Sequence, residues 1–318
     1  MINSDSTATL DPREPPSDSH AGGSPGPARR GQSPTRLIYW SVRRELWEHR
    51  WLYIVPLIVA AVFLAGVAFR ITRVPLARVA GVPAVPAHWT DEVGFDYVSF
   101  ALMLAYVVLA VIYCLEALHG ERRARGILFW KSLPVSDLVT VLAKASVPIV
   151  ILPLLTFALI VLAQGLMLLI GCAVIMGQGA NPSGLWLQAS APSMWLAALY
   201  HLITVHALYW APFYAWLLLV SAWARRAPFL WATVPVIVVL VIERLVLRTS
   251  AFANVLLSQL GGGPQALPFP PPHEMPMQAP TLANLEAFLA SPSLWIGFAI
   301  AAALLLAAAR LRRHQGPV

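Results

Sequence analysis

Nineteen consecutive residues without a formal charge, Trp51 to Phe69, constrain this chain more than anything else in it. At 1.5 Å per residue they form a helix about 28 Å long, which matches the hydrocarbon core of a bilayer. Five more apolar stretches follow, at 98–118, 147–176, 195–222, 228–247 and 294–310. Lipid offers no partner to a backbone N–H or C=O, so runs of this length and character must be helical. The sequence predicts an all-α membrane protein with six transmembrane helices over 51–313. The stretches 147–176 and 195–222 exceed what a crossing needs, which predicts tilt or protrusion. The run 251–260 is too short to cross and reads as a re-entrant or surface helix, and 281–290 as a short helix leading into the last span.

Only 12% of the residues are charged, against about 25% in soluble domains. The net charge of +7 does not indicate nucleic acid, because the basic residues sit between spans, where membrane orientation places them. Cys114 and Cys172 both fall inside apolar runs as packing residues, and no metal-type cysteine spacing occurs. Residues 1–34, rich in Pro, Ser, Gly and Asp, read as a disordered cytoplasmic tail. No apolar h-region lies in the first 36 residues, so no cleavable signal peptide is expected. From 35 to 50 an interfacial amphipathic helix is predicted. Ile38, Val42 and Leu46 form its apolar stripe, and Ser41, Arg44 and Glu48 point the other way. Arg36, Arg43 and Arg50, flanked by Trp40 and Trp47, suit a headgroup plane.

Loop charges orient the spans. Basic residues gather before the first span, in 119–144, at Arg225-Arg226 and at Arg310, Arg312 and Arg313, while 177–194 carries no charge. Both termini are therefore expected in the cytoplasm. Trp186 and Trp195 would line one face, and Trp47, Trp130 and Trp223 the other. The outer loop 248–293 includes a Pro-rich 264–280 segment. There His273-x-Met275-x-Met277 offers soft ligands to copper, a pattern too weak to predict a metal site.

No catalytic signature stands out, and no metal site or enzyme activity is expected. A P-loop is excluded, because neither Lys131 nor Lys144 follows a Gly-rich turn. Within the spans Gln164, His206 and Glu243 are the candidate polar positions. His206, with Thr204 and Gln164, suits interhelical hydrogen bonding. His201 and His206, five apart, fall about 140° apart on an α-helix and should not converge. Glu116 reads as an interfacial acid pairing with Arg122 or Arg123. Glu243 lies near the outer boundary, where structural pairing is expected. Ala61 and Ala65, and the small residues of 299–309, read as helix-packing surfaces.

The segment 119–140 is a basic, Trp-bearing island between two apolar runs. Its core, Ile127 to Trp130, is too apolar for a solvated loop and too short to span, so a partner, lipid or other helices must cover it. The run Glu121-Arg-Arg-x-Arg-Gly-Ile-Leu-Phe-Trp-Lys-Ser-Leu-Pro-Val-Ser136 resembles the connection between spans two and three of ABC-2 type ABC-transporter permeases. The resemblance extends to the span pattern as a whole, but not to residues 1–34 or 264–280. It implies a multi-pass exporter subunit of the bacterial cytoplasmic (inner) membrane, paired with a second permease chain as homodimer or heterodimer. A separate ATP-binding subunit, carrying ATP and Mg, would supply the energy, and this chain would bind no cofactor. By the same resemblance 119–140 is the coupling segment, with Phe129, Trp130 and Leu133 as its apolar plug. Arg122, Arg123, Arg125 and Lys131 would form the rim, with Glu121, Gly126 and Pro134 completing the contact. A six-span membrane enzyme or an ATP-independent transporter or channel is the alternative. Either would need a polar constellation at membrane depth, where the residues show only His206 and isolated hydroxyls.

Overall fold

The computed structural model describes residues 34–71, 73, 77–79, 82–84, 94–123, 136–260 and 282–314. The first helix, α1 (Pro34–Glu48), leads into α2 (Trp51–Ile71). Next come a short antiparallel pair, β1 (Ala77–Val79) and β2 (Val82–Ala84), α3 (Phe95–Ala117) and the one-turn α4 (His119–Arg123). The third long helix is continuous from Asp137 to Gly177, as α5 (Asp137–Ser146), a π-helical turn π1 (Val147–Ile151) and α6 (Leu152–Gly177). The chain continues through α7 (Ser183–Ala189), α8 (Ala191–His201), π2 (Leu202–Tyr209) and α9 (Ala211–Trp223). Then follow α10 (Pro228–Ile242), π3 (Glu243–Leu247), α11 (Ala251–Leu260), α12 (Leu282–Ala290) and α13 (Pro292–His314).

Among the described residues five helices are long and apolar enough to cross a membrane, and a sixth crossing results if the pair on either side of Trp210, bent by 47°, counts as one span. The chain is thus a helical, multi-pass membrane protein, and among the described residues a hairpin of two three-residue strands departs from an all-α fold. The short helices expected near 251–260 and 281–290 are both present. The expected tail over 1–34 and the Pro-rich 264–280 loop, with His273, Met275 and Met277, lie outside the described residues, apart from the backbone of Pro34 in α1.

Small residues set the closest packing. Ala211 and Ala215 of α9 meet Ala301 of α13, and a Cβ on Gly297 would come within 3.2 Å of Pro212. Such residues let helix backbones approach without a hydrophobic drive between them. The small-residue expectation therefore holds on α13, whereas Ala61 and Ala65 of α2 face outward. α2 packs on α3 and α6, and α10 buries little more than Ala232, leaving apolar side chains around its circumference.

The π-turns have local causes. Pro148 and Pro153 each lack a backbone N–H, which interrupts the ordinary ladder around π1. At the end of π2 the Trp210 N–H reaches back five residues, to the Val205 carbonyl at 3.1 Å. This corrects the expectation for His201 and His206. With the wider turn, residues five apart stack, and the two rings meet edge-on at 5.1 Å between centroids.

Candidate functional site

Where α1, α4, α5 and α13 meet, charges gather in the interior. α1 packs on α5, and among its residues with described side chains the buried one is an acid, Glu45, at 2% exposure. The half-buried Val42 and Leu46 flank it, so the apolar stripe expected on α1 has a carboxylate at its centre. Burying a carboxylate is costly without a partner. Lys144 of α5, 1% exposed, donates to Glu45 Oε1 at 2.8 Å, and the Tyr113 hydroxyl donates to Oε2 at 3.0 Å.

Glu121 of α4 is the hub. Its Oε1 accepts from Arg44 and Lys144, each at 3.0 Å, and its Oε2 from Arg312 Nη1 at 2.7 Å. Arg312, at 6% exposure near the end of the last span, also donates through Nε to Asp137 Oδ1 at 3.0 Å. Three cations (Arg44, Lys144, Arg312) thus face three buried or half-buried carboxylates (Glu45, Glu121, Asp137). Arg44, expected to point away from the body, is drawn inward by these acids. Its Nε also forms an ion pair with Glu48 at 3.2 Å. Glu45, Glu48 and His49 bring ligand-type atoms within 4.8 Å of one another. With Lys144 and Tyr113 already on Glu45 and Arg44 on Glu48, this grouping makes a poor cation site.

The outward edge of α1 is different in kind. Tyr39, Trp40 and Trp47 are exposed, and the Arg43 guanidinium lies 5.2 Å from the Trp40 ring and 5.9 Å from that of Trp47. An Arg held between two amphipathic rings suits a headgroup region.

The structure turns two of the expected coupling residues inward. Glu121 takes three internal cations, and Arg122 donates to the Ala222 and Ala224 carbonyls at 2.7 and 3.4 Å. With His119 on the Ala224 carbonyl at 3.1 Å, Arg122 caps the C-terminal end of α9, which leaves carbonyls without helical partners. Arg122 therefore does not pair with Glu116, which is exposed, while Arg123 faces outward. Arg125, Gly126, Phe129, Trp130, Lys131, Leu133 and Pro134 lie outside the described residues. The two flanks of 124–135 are nonetheless tied together, since Glu121 on one side and Asp137 on the other share Arg312.

The three intramembrane candidates separate into different environments with no partner in common. Gln164 donates to the Phe95 carbonyl and Ser99 Oγ, at 3.2 and 2.9 Å, and accepts from the Trp195 indole at 3.1 Å. Trp195 is thus tied inward, while Trp186 is exposed as a belt residue should be. Glu243 accepts from the Phe252 and Ala253 N–H groups, at 2.7 and 3.0 Å, and caps α11. The far end of α11 returns to the bend, where Gln259 binds the Tyr209 carbonyl and Leu260 O accepts from the Trp210 indole. Helix α11 is therefore a folded-back element strung between Glu243 and the bend.

His206 stands among rings, with Tyr106 at 5.5 Å and Trp210 at 5.3 Å. Sequence reasoning missed Tyr106, whose fully buried hydroxyl lies 2.9 Å from the Pro148 carbonyl and 3.0 Å from that of His206. Those carbonyls belong to π1 and π2, and the Tyr214 hydroxyl completes the group at 3.0 Å. Also missed were Glu45, Lys144, Asp137 and Arg312. Lys144 had a signal, being the only Asp, Glu, Lys or Arg between Asp137 and Arg225.

Compared with known proteins, the chain matches no family model, no curated protein and no solved structure.

Proposed function

We propose that this chain is the membrane-spanning subunit of an ABC-2 type ABC transporter acting as an exporter. Six spans cross the bacterial inner membrane with both termini cytoplasmic, and the charged cluster lies at the cytoplasmic end. A separate ATP-binding subunit docks on the 119–140 segment, and two permease chains with two such subunits make the working unit. The observation that carries this reading is the common grip of Arg312 on Glu121 and Asp137. It fixes both flanks of the Ile127-Leu128-Phe129-Trp130 run to the last span. A push delivered at the segment would thereby reach α13 directly, and α1 and α5 through Arg44 and Lys144.

The test has two parts: the reading frame beside this chain's own should encode a P-loop ATPase, and that protein should co-purify with the chain. A buried Trp anchor is worth at least about 2 kcal/mol, so Trp130→Ala should weaken that association roughly thirtyfold while expression stays normal. The chain purified alone should show only background ATP turnover. Retained ATPase binding by Trp130→Ala, or robust ATP hydrolysis by the lone chain, would overturn the reading.

A further inference from the structure

At the end of α2 away from the charged cluster, an open groove of about 400 Å³ runs between α2 and the start of α3. Val62, Phe63, Gly66 and Val67 form its apolar wall, and Arg70, Gly94 and Tyr97 close its end. Gly66 keeps the wall open, since a Cβ there would meet nothing within 4 Å. Gly94 acts differently, letting the Tyr97 ring and Arg70 pack close against the backbone at the end. Its backbone is left-handed, at φ 86°, and a Cβ would come within 2.9 Å of the Tyr97 ring and 3.7 Å of Arg70 Nη1.

The depth of each residue follows from helix rise. Arg70 is the twentieth residue of α2, about 28 Å from Trp51, where the hydrocarbon core ends. The wall residues lie below that level and Tyr97 stands beside it, as expected of an aromatic at the interface. Arg70 is exposed and lines the end of the groove, where its guanidinium is open to an anionic group. Nearby, the exposed Arg73 lays its guanidinium 4.9 Å from the Phe69 ring. A groove that is apolar at hydrocarbon depth and cationic at headgroup depth complements one kind of molecule.

We infer that this groove is a binding site for a phospholipid with an anionic headgroup, drawn from the leaflet at that end. The phosphate meets the Arg70 guanidinium, and one acyl chain lies along Val62, Phe63 and Gly66. Native mass spectrometry on the purified full-length chain tests this, with phosphatidylglycerol and phosphatidylcholine as probes. One basic residue near an anionic surface favours the charged lipid roughly fivefold, and Arg70→Gln should abolish that preference while phosphatidylcholine binding stays unchanged. Gly66→Leu, which projects into open space and should fold normally, should weaken both lipids by filling the groove. Arg248→Gln removes an exposed charge beyond α10, outside the groove, and should change nothing. The assignment fails if Arg70→Gln keeps the preference, if Arg248→Gln loses it equally, or if Gly66→Leu binds both lipids as before. It also fails if the groove holds a second copy of the chain, seen as a dimer that Gly66→Leu dissociates with lipid binding unmoved.

Discussion

Two buried polar groups hold the spans together, and they do it with different chemistry. At the α1 end, three cations and three carboxylates join the first helix, the second and third spans and the last. Around Tyr106, deeper along the same helices, neutral hydroxyls and carbonyls join π1, π2 and α9. The difference reflects the cost of an error in each place. A broken ion pair strands a full charge in a medium that cannot solvate it, whereas a broken hydroxyl contact leaves only a dipole. Charges therefore sit at the helix ends, near water, and neutral groups take over further in.

The largest effect is expected at Lys144. Lys144→Met leaves Glu45 and Glu121 short of a cation and should cost about 3–5 kcal/mol, measured by thermal unfolding of the purified chain. Adding Glu45→Gln should recover much of that loss, because the stranded charge is removed with its partner. A mild Lys144→Met phenotype would break the comparison.

Tyr106→Phe removes one hydroxyl from two carbonyls and should cost less, about 1–2 kcal/mol. Its signature is local, with faster amide hydrogen exchange at both 147–151 and 202–209. Exchange that rises in only one of the two turns would show that Tyr106 does not join them. The smallest effect belongs to Glu243→Ala, a lost helix cap worth about 0.5–2 kcal/mol. Hydrogen exchange should rise over 251–260 and stay unchanged in α5.

The spans were legible because a charge-free run of about 20 residues has few physical alternatives. Helix α11 was legible by the same arithmetic, being too short to cross. The charged cluster was harder to see. Glu45 sits between Arg44 and Leu46 on a helix with charges along its length, so nothing in its neighbourhood marks it as the buried one. Arg312 resembled an orienting charge beside Arg310 and Arg313. Lys144 stood alone in a long uncharged stretch, which was a readable sign that a buried acid must face it. His201 and His206 were misjudged for another reason. Helical spacing of 3.6 fails across a π-turn, and periodicity alone does not reveal one.

The central proposal is that Arg312, by joining Glu121 to Asp137, sets the flanks of the proposed coupling segment, and Arg312→Lys tests it most directly. Lysine keeps the charge, but its single ammonium cannot reproduce the guanidinium's separate bonds from Nη1 to Glu121 and from Nε to Asp137. Arg312 itself is buried, so any effect on a docking partner must pass through the segment it holds. Titrating the proposed ATP-binding partner against the folded, monodisperse Arg312→Lys chain should show affinity reduced about tenfold, or roughly 1.4 kcal/mol. An unchanged Kd from that variant would contradict the account.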